Sequence, residues 1–461
     1  LKNTFLNKPR SDLSLCVVEQ SQSVKRAYPK GAEIAEVGKH IKFDPDILST
    51  FDYKGWQSLH HDLLVVSAVV EFADRRWKRP RGWSRKFNIT VPVLDLAAWQ
   101  RKEVIESLLS ALRHLTADIW SFNFVQWRGP APIGARQGVL AFTKTKTFTI
   151  AYSDGLDSRA VSALSGDKLG LRVRIAKSRN RLKKGDQPFD QIPFKVQGFR
   201  GLESSFRSRG FQFSAITAIA AHMSELSRVV VPESGQGALG PVLLPLHNIH
   251  PDYRNHPTFF RKMERFVRAL LGYQVKYDQP RIWYTKGQTL GAFLELPAKK
   301  QEDLTDTRSC WQTRRIVNTN GGRKQCGLCA ACLLRRLSMH TAGITEAADA
   351  YVISDLKCSD VNESLAVIPQ QRDRDIMIEY GSVGARHLQH LAEMADLPDD
   401  ELRIHASELA AALGEPREDT MKNLRMLLVN HAEEWRAFLT AQEEKSFLKS
   451  WMDGGRYGRS K

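Results

Sequence analysis

The sequence predicts an α/β protein: a parallel, doubly wound sheet carrying a zinc-binding segment, preceded by an α+β domain and followed by an all-helical extension. Three observations lead there. Strand-like runs alternate with helical periodicity from Gly138 to Val231, the pattern of a parallel sheet covered on both faces. The loop Ser153-Asp154-Gly155-Leu156-Asp157-Ser158 follows the strand-like Thr147 to Tyr152. Four of the six cysteines crowd into Cys310 to Cys332.

A chain of 461 residues exceeds one hydrophobic core, since domains run to roughly 100–200 residues. Changes of character divide it at 1–137, 138–360 and 361–461. The first part holds Trp56, Trp77, Trp83, Trp99, Trp120 and Trp127, six of the ten tryptophans, as a separately built module would. Leu63 to Phe72 and Phe87 to Leu94 read as strands, Val104, Leu108, Ala111, Leu112 and Leu115 form a helical stripe, and the alternation through Ile119 to Trp127 returns to strand periodicity. Between the first two lies Arg75 to Lys86, where cations mix with Trp77 and Trp83. Such a mixture suits a surface that grips phosphates and stacks bases. With Pro80 and Gly82 inside it, it better suits a solvated hairpin loop whose tryptophans fold back.

In the second part, Gly138 to Tyr152 reads as two strands joined through Thr143 to Lys146. A helix from Ser158 to Leu164, a strand from Leu169 to Ile175, a helix carrying Ile216, Ile219, Ala220 and Met223, and a strand from Arg228 to Val231 follow. Ligands of such sheets bind beyond the carboxyl ends of the strands, where Ser153 and Glu233 fall. The third part is alanine-rich and charged, in helical segments Arg372 to Asp396, Asp399 to Leu413 and Glu418 to Trp451, with Pro398 and Pro416 near helix starts.

A loop between a strand and a helix can aim backbone N–H groups at an anion, and the helix N-terminus adds partial positive charge. Gly155 allows the tight turn, Ser153 and Ser158 offer hydroxyls, and Asp157 is suited to hold Mg²⁺ beside phosphates. The loop is not a Walker A sequence, and alone it also reads as an ordinary turn and N-cap. Cys326, Cys329 and Cys332 recur every three residues, and a turn at Asn320-Gly321-Gly322 would fold Cys310 back onto them. Four thiolates suit tetrahedral structural zinc; an iron–sulfur cluster is the other candidate, although Leu333-Leu334-Arg335-Arg336 stands where a ferredoxin run would continue with cysteine. Cys16 and Cys358 read as ordinary reduced thiols.

The formal charge of +17 favours polyanionic ligands, namely nucleotides, nucleic acid or an acidic protein, without choosing among them. No apolar run is long enough to span a membrane. With no secretory apolar core in Leu1 to Arg10, a cytoplasmic location is the expectation.

The hexapeptide is similar to the Ser-Gly-Gly-x-Asp-Ser loop of the N-type ATP pyrophosphatases, of the adenine nucleotide alpha hydrolase-like fold, with Asp154 standing where that loop has its second glycine. Together with Ser309-Cys310, Cys326-Gly327-Leu328-Cys329-Ala330-Ala331-Cys332 and Arg335, it closely resembles the 7-cyano-7-deazaguanine synthases, the QueC family, over roughly Phe148 to Gly343. Arg207-Ser208-Arg209-Gly210-Phe211 is similar to that family's Arg-Asn-x-x-Phe, and Thr285-Lys286 to its Thr-Lys pair. The family's Asp-Tyr-Gly-Gln is replaced by the basic run Arg172 to Lys184, and its substrate-pocket segment by Glu233 to Gly237. With its Trp-rich front and helical tail the chain most resembles QueC-like proteins of bacterial anti-phage operons.

The resemblance implies ATP-dependent adenylation of a carboxylate like that of 7-carboxy-7-deazaguanine, release of pyrophosphate, and acyl transfer to ammonia or to an amine of a partner protein from the same operon. It implies that Ser153, Asp154, Gly155, Leu156, Asp157 and Ser158 hold ATP with Mg²⁺, that Asp157, Lys286 and Arg207 act in catalysis, that Glu233 meets a purine-like edge, and that Cys310, Cys326, Cys329 and Cys332 hold structural zinc. Two other readings stay open: a catalytically silent nucleotide-binding scaffold of a defence complex, and a nucleic-acid-modifying ATP pyrophosphatase.

Overall fold

A computed structural model describes residues 12–19, 29–44, 55–129, 145–153, 155–176, 192–245, 249–312, 317–319, 322–364 and 371–452. In chain order its strands and longer helices are β1 (Leu13–Val18), β2 (Glu33–Glu36), β3 (Ile41–Phe43), α1 (Ser58–Arg76), β4 (Lys86–Val93), α2 (Lys102–Thr116), β5 (Ile119–Gln126), β6 (Phe148–Ala151), α3 (Leu156–Leu164), β7 (Gly170–Val173), β8 (Ile175–Ala176), β9 (Ile192–Val196), α4 (Arg209–Met223), β10 (Arg228–Val230), α5 (Gly235–Leu243), α6 (Pro257–Leu271), β11 (Lys276–Asp278), α7 (Lys286–Leu294), β12 (Asn318–Thr319), β13 (Gly322–Arg323), α8 (Ala330–Thr341), α9 (Gln371–Glu393), α10 (Asp399–Leu413), α11 (Arg417–Thr440) and α12 (Phe447–Met452). No helix among the described residues is long and apolar enough to cross a membrane.

The chain forms two compact units. The first comprises Leu1–Tyr152, Lys168–Val231 and Pro245–Asp278; the second comprises Ser153–Asp167, Pro232–Leu244 and Gln279–Lys461. Both are assembled from discontinuous segments.

In the first unit, β2-β1-β4-β5 form one sheet and β11-β10-β6-β7 another. All pairings within both are parallel. Parallel strands need crossovers, and α2 supplies one: β4 and β5 flank it in sequence and pair in register from Lys86↔Ile119 to Val93↔Gln126. The α+β expectation for the front segment is therefore corrected to α/β. The correction has a second part, because Leu63 to Phe72, expected as a strand, lies inside α1. Its valines favour a strand locally, but every residue from His60 to Asp74 is buried, and a helix enclosed on all sides needs no polar face. The expected strand Leu169 to Ile175 is split between β7 and β8, which belong to different sheets. The expected strand before Thr143 and the central residues of the Asn320-Gly321-Gly322 turn lie outside the described residues.

Among the described residues of this unit an apolar core runs from Leu15 and Val91 through Phe211 and Ile216 to Phe266 and Tyr277. Trp99 packs between Phe124 and Phe266, with ring centroids at 4.8 and 6.3 Å. The basic run Arg75 to Lys86 joins α1 to β4, so it is not a hairpin, and two of its seven cations, Arg79 and Arg85, are buried. Asp74 and Asp118, both fully buried, lie between two arginines: Arg79 reaches them at 2.8 and 3.0 Å and Arg85 at 2.5 and 2.7 Å. Burial would raise the Asp74 pKa, yet Arg85 and Arg79 bring it below the ordinary value. Trp83 Nε1 donates to the Thr116 carbonyl at 3.0 Å, and the Arg79 guanidinium lies 4.5 Å from that ring's centroid. The tryptophan thus folds back.

Among the described residues, the second unit has three apolar clusters. Leu156, Ala160, Leu290, Phe293, Leu304 and Met339 pack α3 against α7 and α8. A second surrounds the cysteines with Leu333, Trp435, Leu448 and Trp451. The third joins Leu239 of α5 to Leu402 and Leu427. The described residues after Val361 are helical with short connections, and α10 has the bounds expected from sequence, with Pro398 at its N-cap.

Candidate active site and metal centre

The candidate site lies in the second unit, on three segments: Ser153 to Asp157, Glu233 to Gln236, and Arg281 to Lys286. In the first segment the Ser153 and Ser158 hydroxyls are 2.8 Å apart, and Gly155 N–H donates to Ser153 Oγ at 3.2 Å. Gly155 is the N-cap of α3, while Asp154 lies outside the described residues. Leu156 is buried in the cluster with Leu290 and Phe293, which anchors the first turn and fixes Asp157.

The Asp157 carboxylate is held from two sides. Oδ1 accepts from Ser234 Oγ at 2.8 Å, and Oδ2 accepts from Lys286 Nζ at 2.5 Å. Glu233 Oε1 stands 3.8 Å from the same ammonium. The glycines beside Glu233 are required by space: a Cβ on Gly237 would lie 2.2 Å from that carboxylate, and one on Gly235 would lie 2.3 Å from the Ile282 carbonyl. Asp157, Glu233 and Lys286, singled out separately from sequence, are therefore brought together although 129 residues separate Asp157 from Lys286 along the chain.

Lys286 opens α7 behind the cap Thr285, whose Oγ1 accepts from Gln288 N–H at 3.0 Å. Burial alone would lower the lysine pKa; Asp157 and Glu233 outweigh it and raise the value. Its backbone N–H donates to Gln236 Oε1 at 2.7 Å. The Gln236 amide nitrogen lies 2.8 Å from His431 Nδ1, and Thr285 Oγ1 donates to Glu434. Burial raises the Glu434 carboxyl to about 7, with hydrogen bonds from Thr285 and Gln236 partly opposing. Burial likewise depresses His431 to about 4. Arg281 Nε donates to Thr289 Oγ1 at 3.2 Å, and its guanidinium stacks 3.7 Å from the Tyr284 ring centroid. Ser234, Gln236, His431 and Glu434 were not singled out as individual site residues. The first two sit in the segment already noted for Glu233, but the helical pattern of α11 does not distinguish His431 and Glu434 from packing residues.

Arg207 belongs to the first unit. Its Nη1 lies 3.2 Å from Asp252 Oδ1, and its guanidinium lies 5.2 Å from the Trp83 ring centroid. Burial, with Arg254 and Arg79 nearby, lowers its pKa against the pull of Asp252.

The four cysteines converge. Their sulfurs lie within 4.8 Å of one another and all four residues are buried; Cys326 and Cys332 sulfurs are 3.7 Å apart. Sulfurs about 2.3 Å from a tetrahedral zinc stand about 3.8 Å from each other, so the donor set fits zinc. Backbone N–H groups of Gln312 and Cys326 point at Cys310 Sγ at 3.3 and 3.2 Å, and that of Cys329 points at Cys326 Sγ at 3.3 Å. These donors offset thiolate charge. Gly327, at φ +91°, makes the turn between the first two ligands of the run, where a Cβ would meet the Ile353 carbonyl at 2.4 Å. Arg335, fully buried, ties the following helix to Glu346 at 2.8 Å and to Thr307 at 2.8 Å.

Residues 247–343 match the QueC family, described as queuosine biosynthesis protein QueC. No curated protein and no solved structure matches the chain. The QueC-like domain contains Lys286 and all four cysteines. It begins downstream of the Ser153 loop, Arg207 and Glu233, and it ends before α9.

Proposed function

We propose that the chain is a QueC-like, ATP-dependent enzyme that adenylates a carboxylate resembling that of 7-carboxy-7-deazaguanine, releases pyrophosphate, and transfers the acyl group to ammonia or to a partner protein's amine. Its setting would be cytoplasmic anti-phage defence, most like the QatC component of the Qat system, with the partner from the same operon. The contact that carries this reading is Lys286 Nζ to Asp157 Oδ2 at 2.5 Å, which ties the first turn of α3 to the QueC-like domain. In this scheme the N-terminus of α3 and the hydroxyls of Ser153 and Ser158 bind ATP phosphates. Asp157 would hold Mg²⁺, whose bound charge helps the pyrophosphate leave, and Lys286, released from Asp157, stabilises charge developing at the α-phosphate. Glu233 faces the substrate. The four thiolates leave zinc no open position, so its role is structural.

The test is release of AMP and pyrophosphate from ATP with Mg²⁺, 7-carboxy-7-deazaguanine and either ammonia or a primary amine. Asp157→Ala should abolish it; no turnover by the wild type with any nucleophile sinks the proposal. A second reading, a silent nucleotide-binding scaffold, is favoured by the same ion pair, because an aspartate already held by an ammonium is a weaker magnesium ligand. It requires ATP binding without hydrolysis and a defence complex that survives Asp157→Ala. The nucleic-acid reading has less support, since Arg79 and Arg85 of the basic run are committed to Asp74 and Asp118.

A further inference from the structure

The family match ends at 343, yet two side chains of α11 are linked to the start of α7, His431 through Gln236 of α5 and Glu434 directly. One route is a directed chain of hydrogen bonds. The Leu388 carbonyl can only accept, so His431 Nε2, 2.9 Å away, carries the hydrogen. Burial keeps the ring neutral, hence Nδ1 accepts, and Gln236 must turn its NH₂ toward it at 2.8 Å. The Gln236 oxygen is thereby aimed at Lys286 N–H, 2.7 Å away. The other route runs from Glu434, one turn after His431, to the hydroxyl of the cap Thr285. Thr285, Gln236 and His431 are all nearly or fully buried. Polar groups buried this way cost stability unless bonded, and apolar residues of like shape would serve packing as well.

We infer that His431 and Glu434 are positioning residues of the candidate site, acting through Gln236 and Thr285 to place the Lys286 ammonium against Asp157. The helical segment outside the family match is then part of the site. The expected effect on nucleotide binding rests on the proposed function; the positioning itself does not.

The experiment uses the full chain with His431→Leu, His431→Asn and Glu434→Ala. Acetic anhydride labelling read by mass spectrometry compares Lys286, 9% exposed, with the exposed Lys102, and a titration gives the Kd for Mg-ATP. His431→Leu should raise Lys286 labelling relative to Lys102 by about fivefold, since a freed buried network opens its members to solvent, and weaken Mg-ATP binding about tenfold. Asn places its amide oxygen where Nδ1 lies, so His431→Asn should bring both to within about twofold of wild type, which a general loosening would not permit. If His431→Leu is insoluble, Glu434→Ala, at a half-buried position, carries the same expectation. Unchanged Lys286 labelling in a folded variant overturns the inference, as does failure of Asn to restore. A change in labelling with no Mg-ATP binding by the wild type upholds the positioning and sinks the proposed function; binding without any change in labelling does the reverse.

Discussion

Glu434 shows what single residues contribute. Its carboxyl titrates at about 7 in the folded chain against an ordinary 4.5, so the folded state holds the proton more tightly than the unfolded one. Stability from this group is full below pH 4.5, falls as pH rises toward 7, and stays low above that. Glu434→Gln keeps an acceptor for Thr285 and has no charge to bury. It should be more stable than wild type by about 1–3 kcal/mol near pH 8 and indistinguishable near pH 4.5, read by urea denaturation at both. Equal stability near pH 8 would mean that the carboxyl is well solvated. At this scale the sequence was readable where a residue type has few uses: four crowded cysteines, or Asp157 in a Ser-Asp-Gly-Leu-Asp-Ser turn. It was unreadable for His431 and Glu434, whose roles depend on which helix they meet. Lys286 was found only through its likeness to a motif, because one lysine among 68 Lys and Arg has no distinguishing pattern.

Elements were legible where one face is buried and one exposed. The stripe Val104, Leu108, Ala111, Leu112 and Leu115 gives α2, and the alternation after Ile119 gives β5. Leu63 to Phe72 defeated the same reasoning because full burial erases periodicity, leaving only local propensity. The basic run misled for a related reason, since charge on paper does not say which way it faces. Removing Asp118 would leave Arg79 and Arg85 sharing Asp74 alone, and breaking a buried ionic group of this kind costs about 3–5 kcal/mol. Asp118→Ala should therefore lower the urea midpoint sharply, with the denaturant slope unchanged; a loss well under about 1 kcal/mol would place the network in solvent. The zinc segment makes a separate prediction. A Cβ on Gly384 of α9 would fall 2.8 Å from Ala330 Cα, and one on Gly381 would lie 3.1 Å from Leu328 Cβ, so α9 lies close against the thiolate turn. Gly384→Leu should displace it and lower both the melting temperature and zinc retained after dialysis against a chelator, whereas Gly414→Ala, with open space around it but strained at φ +73°, should lower only the melting temperature.

For the whole molecule, changes of composition marked where the chain changes character but not how it packs. The cluster around the cysteines takes Leu328, Leu333 and Val352 from before residue 360 and Met377, Leu388, Trp435, Phe438, Leu448 and Trp451 from after it. A second cluster joins Leu239 and Ile282 to Leu402, Leu424 and Leu427. Deleting 361–461 would bare both faces. Each large apolar side chain moved from core to water costs about 1.5–3 kcal/mol, and a whole domain is stable by only about 5–15 kcal/mol, so baring Leu328, Leu333, Val352, Leu239 and Ile282 suffices to unfold the second unit. The truncated chain should be insoluble, or soluble with substoichiometric zinc and no cooperative melt for that unit. The segment 361–461 expressed alone should likewise fail to melt cooperatively, because Trp435 and Leu448 would lose Leu328 and Leu333. If the truncation instead keeps one zinc per chain and melts within a few degrees of wild type, the helices are an appended module. The positioning assigned to His431 and Glu434 would then have to be sought within residues before 361.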